Sequence, residues 1–370
     1  MSDEQPRHLI AESDESTDAD SAHEPDHDHV APRHARKRRG TMFVLFVASL
    51  TAVALVLGVV GFYVVRGIVG LSNIERDQAL NPIDYEGRPA PPSSAPGVER
   101  PPINIVLMGA DTREGDRGRS DSLMVAHISG DRRHVYIVSF PRDMWVSIPG
   151  HGKGKINAAY AYGRAPLTVR TLEQLTGVRM DHTAVIDFEG FIKLTDALGG
   201  VTVHNPWTTE QDPGMRFEKG DITLQGARAL AYVRERYQLP NGDLDRAYRQ
   251  RTVVKAIIKQ TFTPRTLANP STFNSVVGLF SDCLTVDQAM TNSYIMDLGL
   301  QMRFSGSDGV RLLQAPILGF AKVGDQAVDV VDDKGVAELS TAMATDTMED
   351  YYAAHGNDTP DSLGPVAPPR

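Results

Sequence analysis

From Thr41 to Val65 the chain runs for 25 residues without a charged side chain (TMFVLFVASLTAVALVLGVVGFYVV). Roughly 20 apolar residues cross a bilayer core of about 30 Å, so this run is long enough to span one. It starts too late and runs too long for a cleaved signal peptide, whose apolar region is about 7–15 residues. A buried core helix would carry polar interruptions that are absent here. The flanks set a direction. Arg33, Arg36, Lys37, Arg38 and Arg39 crowd the N-terminal side, whereas Arg66 and then Arg76 follow the run. Positive residues stay inside, so the N-terminus is expected in the cytoplasm and everything beyond Val65 outside it. The expected product is a single-pass protein of the cell membrane.

The exported part must hold together without covalent help, because the single cysteine, Cys283, has no intramolecular partner. Residues 1–40 carry six Lys/Arg against ten Asp/Glu, a net of −4 within the chain's −9. The remaining −5 leaves no basic stripe for a nucleic-acid backbone. The basic cluster beside the span is sufficiently explained by topology and by contact with anionic membrane lipid. Residues 1–40 read as a disordered cytoplasmic tail, polar and acidic with no periodic apolar face. Its His23, His27 and His29 belong to a solvated tract. Residues 66–102 include seven prolines from Pro82 onward and read as a semi-rigid spacer. Residues 356–370 read as a second disordered tail. One domain, 103–355, lies between, with no internal linker or repeat.

Within that domain INIVLMG, SLMVAHIS, HVYIVSF and HTAVIDF have the length and composition of strands. NAAYAYG, LTVRTLEQLTG, FEGFIKLTDALGG, GARALAYVRER and DRAYRQRTVVKAIIKQTF have helical spacing. Strands mixed with helices of this length predict an α/β sheet covered on both faces. The first three strands, 103–109, 122–129 and 134–140, include a connection of only Gly130–Arg133, short enough for a hairpin. If the first strand is antiparallel as well, three loops meet at one sheet end. They carry Asp111 with Arg113, Arg119 with Asp121, and Arg142 with Asp143. Each pair alone is an ordinary surface ion pair. Three at one end of a rigid sheet point to a site.

A second signal lies near residue 250. Arg246, Gln250, Val253 and Ile257 share one helix face, and the apolar members make that face the buried one. A cation at a helix N-terminus is disfavoured by the dipole unless an anion is near, and a bound phosphate would satisfy both. Asp243 and Asp245, as simple caps, could satisfy them instead. Arg234 and Arg236 converge only if the backbone between them is extended. Arg forks suit a pyrophosphate better than the point charge of lysine does. Asp111 and Asp121 could hold Mg2+, which needs one or two carboxylates plus substrate phosphate. Arg119, Arg142, Arg234, Arg236 and Arg246 would then neutralise the charge of phosphoryl transfer, which is mostly a matter of positioning and electrostatics. No GxxxxGK[ST] loop is present, which excludes a P-loop nucleotidase.

The segments INIVLMGADTR, GRSDSLMVAHI, VSFPRDMWVSIPGHGKGKINAAYAYG, DALGGVTV, ALAYVRER and GDLDRAYRQR resemble, in order and spacing, the motifs of the LytR-CpsA-Psr family. The resemblance covers roughly Ile103 to Gln260. It implies an α-β-α sandwich with a central mixed sheet, anchored in the envelope of a Gram-positive bacterium. It also implies a Mg2+-dependent transfer of a glycopolymer from a polyprenyl-pyrophosphate carrier to peptidoglycan, making a phosphodiester and releasing polyprenyl phosphate. Carried over by motif, Asp111 and Asp121 match the magnesium-binding aspartates. Arg119, Arg142, Arg234, Arg236, Arg249 and Gln250 match residues around the pyrophosphate, and Lys155 and Arg246 sit in matching motifs. The family's lipid tail lies in an apolar tunnel. Two positions depart from the pattern: Arg164 stands where the family usually has a second glycine, and Asp245 where a glycine is common. Three other readings compete, namely a lipid-pyrophosphate phosphatase, a transcriptional attenuator and a non-catalytic wall-binding protein. An attenuator would require a cytoplasmic DNA-binding module, which forty acidic-leaning residues do not supply.

Overall fold

INIVLMG is apolar on both of its faces, which suits a strand buried on both sides. The computed structural model describes residues 67, 70, 72–110, 120–210, 214–261, 263, 266, 269–303 and 309–356. The run Thr41–Val65, residues 1–40 and the tail beyond Gly356 lie outside the described residues, as do Asp111, Arg113 and Arg119. No helix among the described residues is long and apolar enough to cross a membrane.

Along the chain come β1 (Glu75–Arg76), β2 (Ile103–Ala110), β3 (Ser120–Ile128) and β4 (Val135–Ser139). A hairpin of β5 (Trp145–Ile148) and β6 (Gly152–Lys155) leads into α1 (Ala158–Thr176), β7 (His182–Asp187) and α2 (Phe188–Ala197). Next are β8 (Val201–Asn205), β9 (Thr209–Glu210), β10 (Arg216–Phe217), β11 (Gly220–Leu224), α3 (Gly226–Arg234) and α4 (Asp243–Thr261). The last third holds α5 (Pro270–Cys283), β12 (Leu284–Val286), α6 (Asn292–Gln301), β13 (Val310–Gln314), β14 (Ile317–Val323), β15 (Gln326–Val331), α7 (Asp333–Ala344) and α8 (Met348–His355).

Seven strands form the main sheet in the order β1-β12-β7-β2-β3-β4-β13. β2, β3 and β4 make the expected antiparallel meander, with Val125 opposite both Val106 and Val138. β7 runs parallel to β2 and β13 parallel to β4, while β12 is antiparallel to β7, so the sheet is mixed. One sheet end therefore gathers the C-termini of β2, β7, β4 and β13 with the start of β3.

Period-two alternation divides the core into layers. Val106, Met108, Leu123, Val125, Tyr136 and Val138 face α1 and α7, packing with Val169, Leu172, Leu339 and Met343. Ile105, Met124, Ala126, Ile137 and Leu312 face the opposite way, beneath Ile258 of α4 and Ile295 and Leu298 of α6. A third cluster joins α2, α3, α4 and α5 to β8 and β11 through Leu194, Tyr232, Val253, Val276 and Leu224. Helices thus cover both sheet faces.

The expected spacer is a point of correction. β1 is an edge strand of the main sheet, parallel to β12. Leu80 is buried in the core shared with α1, and Ser93 N–H donates to Ala344 O at 2.9 Å. Arg88 reaches Glu173 of α1, Nε and Nη2 each donating to Oε1 at 3.0 Å, and donates to Met180 O at 2.9 Å. The prolines stiffen this stretch without freeing it, because buried apolar and ionic partners elsewhere tie it down. The domain begins at about Ile74.

Two separate helices were expected over 157–177, and α1 joins them through a kink. Gly163 (φ −144°) and Arg164 (φ 54°, ψ −153°) leave helical geometry within it. That region of positive φ is essentially reserved for glycine and costs a side-chain-bearing residue about 1–3 kcal/mol. The Arg164 guanidinium sits 5.6 Å from the Tyr160 ring centre, worth at most about 1 kcal/mol near solvent. Arg164→Gly should accordingly raise stability by about 1 kcal/mol, seen as a higher urea midpoint at unchanged slope. A lower midpoint would mean that the Tyr160 contact outweighs the backbone strain.

Candidate active site

The site is built around the turn that follows β4. Phe140 N–H donates to Leu123 O (2.8 Å), and Pro141 opens a turn in which Met144 N–H donates back to Pro141 O (3.1 Å). Arg142 and Asp143 occupy that turn. Two elements brace it. Asn157 N–H, after β6, donates to Arg142 O (3.2 Å), and Asp329 N–H, on β15, donates to Asp143 O (2.9 Å). Met144 and Asp329 also form an isolated parallel bridge.

Side chains from three elements, the turn, β6 and α4, then alternate in charge. Lys155 Nζ lies 2.8 Å from Asp143 Oδ1, and Asp143 Oδ2 lies 3.9 Å from Arg142 Nε. Arg142 Nε is 3.0 Å from Asp243 Oδ1, which is also 2.5 Å from Arg246 Nη2. Asp243 thus bridges the post-β4 turn to the first turn of α4. Burial pushes its carboxyl above the usual range, against the opposing pull of Arg246 and Arg142. Arg246 pairs here with Asp243, in a cluster that also holds Arg142. Asp245 takes a capping role, accepting from Asn241 N–H at 2.7 Å.

α3 ends at Arg234, and its cap residue Glu235 is extended (φ −62°, ψ 133°). Arg234 and Arg236 are half-buried on either side of buried Glu235, the backbone condition set for them to converge. Arg236 Nη2 donates to the Tyr237 hydroxyl at 2.6 Å, which lowers the affinity of that phenol for its proton. Gln250 Nε2 donates to Val233 O at 3.3 Å. Arg249 goes elsewhere. It is 0% exposed, donates to Asn205 Oδ1 (3.2 Å) and Thr209 Oγ1 (3.0 Å), and stacks 4.2 Å over the Tyr232 ring. These contacts place it in the packing of α4 against α3 and β8. Ala110 pairs with Ser120 and Gly109 with Ser122, so Asp121 is the extra residue of a bulge at the end of β2.

Asp329 escaped the sequence reading. It is 4% exposed, and its Oδ2 is buried without a hydrogen-bond partner among the described residues. Burial, then Asp143 and Asp243, push its carboxyl up to about 7, against Lys155 and Arg142. The one available signal was an acid inside the apolar strand QAVDVV. Because this folded-state value lies above the unfolded one of about 3.9, the associated stability is complete below about pH 4 and lost as pH rises through about 7. Between pH 5 and 8 the wild type should lose about 2 kcal/mol that Asp329→Asn does not lose. Parallel stability–pH curves for the two proteins would contradict this.

Two cavities are lined by these elements and their neighbours. An apolar one of ≈ 70 Å³ lies between the sheet and α2, α3 and α4, lined by Leu107, Met124, Ile186, Phe191, Val233 and Val254, with Gln250 as its amide. A polar cleft of ≈ 550 Å³ is walled by the β5–β6 hairpin, the start of α1, Arg142, Asp143, Arg236 and Gln326.

The sequence model of the LytR_cpsA_psr family matches residues 75–345. The polyisoprenyl-teichoic acid–peptidoglycan teichoic acid transferase TagU of Bacillus licheniformis is 42% identical over 160 residues, 43% of this chain and 52% of that protein. The protein of the same name from Bacillus mycoides is 36% identical over 212 residues, 55% of this chain and 69% of its own length. The chain therefore spans from about half to just over two thirds of these relatives. The crystal structure of B. subtilis TagV has a TM-score of 0.56 at 25% identity, covering 67% of this chain and 98% of that one. With the match beginning at the edge strand β1 and ending just past α7, the chain belongs to the LytR_cpsA_psr family.

Proposed function

We propose that this chain transfers a glycopolymer from a polyprenyl-pyrophosphate carrier to peptidoglycan through a phosphodiester, releasing polyprenyl phosphate, at the outer face of the cell membrane. The observation that carries the reading is on α4. Within two turns that helix supplies Arg246 to the charged cluster and Gln250 and Val254 to the apolar cavity. A cationic cluster and an apolar cavity served by one helix suit a ligand with a phosphate head and a lipid tail. The printed names of the Bacillus relatives, a polyisoprenyl-linked donor and a peptidoglycan acceptor, support the same substrate classes. The Thr41–Val65 run supports the membrane location.

Arg142, Lys155, Arg236 and Arg246, with Arg119 and Arg234, would hold the pyrophosphate and stabilise the charge that develops on the departing phosphate. Asp111 follows the last residue of β2 directly, and Asp121 occupies the facing bulge. Asp111 and Asp121, as carboxylates, are the hard oxygen donors that Mg2+ takes. Bound there, Mg2+ would supply further neutralisation of phosphate charge.

The test is a purified protein given a polyprenyl-pyrophosphate disaccharide with and without peptidoglycan. A phosphodiester-linked product that needs peptidoglycan supports transfer, whereas donor hydrolysis alone, indifferent to acceptor, favours the phosphatase reading. Asp111→Ala and Asp121→Ala should abolish turnover with the fold intact. Full activity in both would remove the metal assignment.

A further inference from the structure

The apolar cavity and the polar cleft share no lining residue, and the charged cluster lines the cleft. The first is roofed by helices of the α4 layer. The second is walled by α1, which packs on the other sheet face, and by β5 and β6. In phosphoryl transfer the attacking and leaving oxygens are roughly in line. With the lipid phosphate leaving on the side of Gln250, the nucleophile approaches from the far side, where the polar cleft opens.

The lining of that cleft has the chemistry of a sugar site. Trp145 and Tyr162 give aromatic faces, and Asn157 and Gln326 give neutral amides. Tyr162 is 58% exposed and stacks on His151 with ring centres 4.5 Å apart and planes 15° apart, so the ring is held flat without being buried. Among the described lining residues, Asp143 is the single carboxylate. Its backbone is pinned by Asp329 N–H, and its Oδ1 is 2.8 Å from Lys155 Nζ.

Resting on the transfer reading above, we propose that this cleft binds the acceptor saccharide and that Asp143 takes the proton from its attacking hydroxyl. The hydroxyl oxygen bonds to the phosphorus that bears the donor glycan, and its proton passes to the Asp143 carboxylate. The bond from that phosphorus to the bridging oxygen breaks, and its electron pair leaves on polyprenyl phosphate. Arg142 and Lys155 line the same cleft as Asp143, so the base lies beside the cations that face the phosphate.

The experiment compares wild type, Tyr162→Ala and Asp143→Asn with the polyprenyl-pyrophosphate disaccharide as donor and a peptidoglycan oligosaccharide as acceptor. Tyr162→Ala, an exposed change that leaves the melting temperature alone, should raise the acceptor KM about tenfold. Donor KM and acceptor-free hydrolysis should not move. Asp143→Asn should lower kcat for transfer by about 10²–10⁴ while donor affinity is kept, and Asp143→Glu should restore part of it. An unchanged acceptor KM in Tyr162→Ala overturns the subsite, and so does a rise in donor KM instead, which would place the donor glycan there. Transfer at the wild-type kcat in Asp143→Asn overturns the base. Donor hydrolysis by the wild type with no transfer to any acceptor defeats the transfer reading itself, and the subsite with it.

Discussion

Arg142→Ala should lower kcat/KM for glycopolymer transfer by about 10³. The guanidinium lies between Asp143 and Asp243 and lines the polar cleft, so it is the cation common to the post-β4 turn, the α4 terminus and the cleft. Removing a single fixed donor to developing negative charge typically costs about 10²–10³ in kcat. Loss of positioning adds to this, because Asp243 would keep Arg246 alone. Arg142→Lys should recover only part of the rate, since an ammonium cannot span two oxygens as a fork does. Steady-state kinetics with a synthetic donor would settle the matter, and a loss below tenfold would exclude Arg142 from the reacting phosphate.

Glu173→Ala should be the most destabilising of the changes considered. Glu173 and Arg88 are both buried, and the same carboxylate accepts Met180 N–H at 3.0 Å. Removing one partner of a buried ion pair strands the other and costs about 3–5 kcal/mol. For a domain of this size that corresponds to a fall in Tm of roughly 10 °C. The double change Glu173→Ala with Arg88→Met should regain part of it. A fall of less than about 2 °C would mean that the Pro-rich segment detaches without consequence for the rest of the fold.

That segment shows where sequence reading stops. Seven prolines report the stiffness of a chain but say nothing of what it lies against, and the partner of Arg88 is far along the chain in α1. The meander was legible for the opposite reason, because Gly130–Arg133 is local and too short for anything but a hairpin. Arg246 and Gln250 were legible through helical period alone. Arg249 was not, because one residue is about 100° of helix, and that rotation turns it from the cavity side into β8. Asp329 was hidden because its significance depends on β15 returning to the post-β4 turn, an encounter with no local signature. The kink at Arg164 was visible as a departure from a glycine pattern, and its meaning needed the backbone angles.

The edge position of β1 has a consequence for how the chain acquires its structure. Glu75 and Arg76 pair with Thr285 and Val286, and β4 pairs with β13 at the opposite end of the sheet. Contacts of such sequence separation slow folding, since loop closure must precede the pairing it permits. The meander of β2, β3 and β4 can form early from neighbours, but neither flank of it can be completed until β12 and β13 have been synthesised. Until then β4 presents an unpaired edge of buried, mostly β-branched residues (VYIVS), the kind of edge that seeks a strand from another molecule. Yield from refolding should therefore depend on protein concentration more steeply than the stability of the finished domain would suggest.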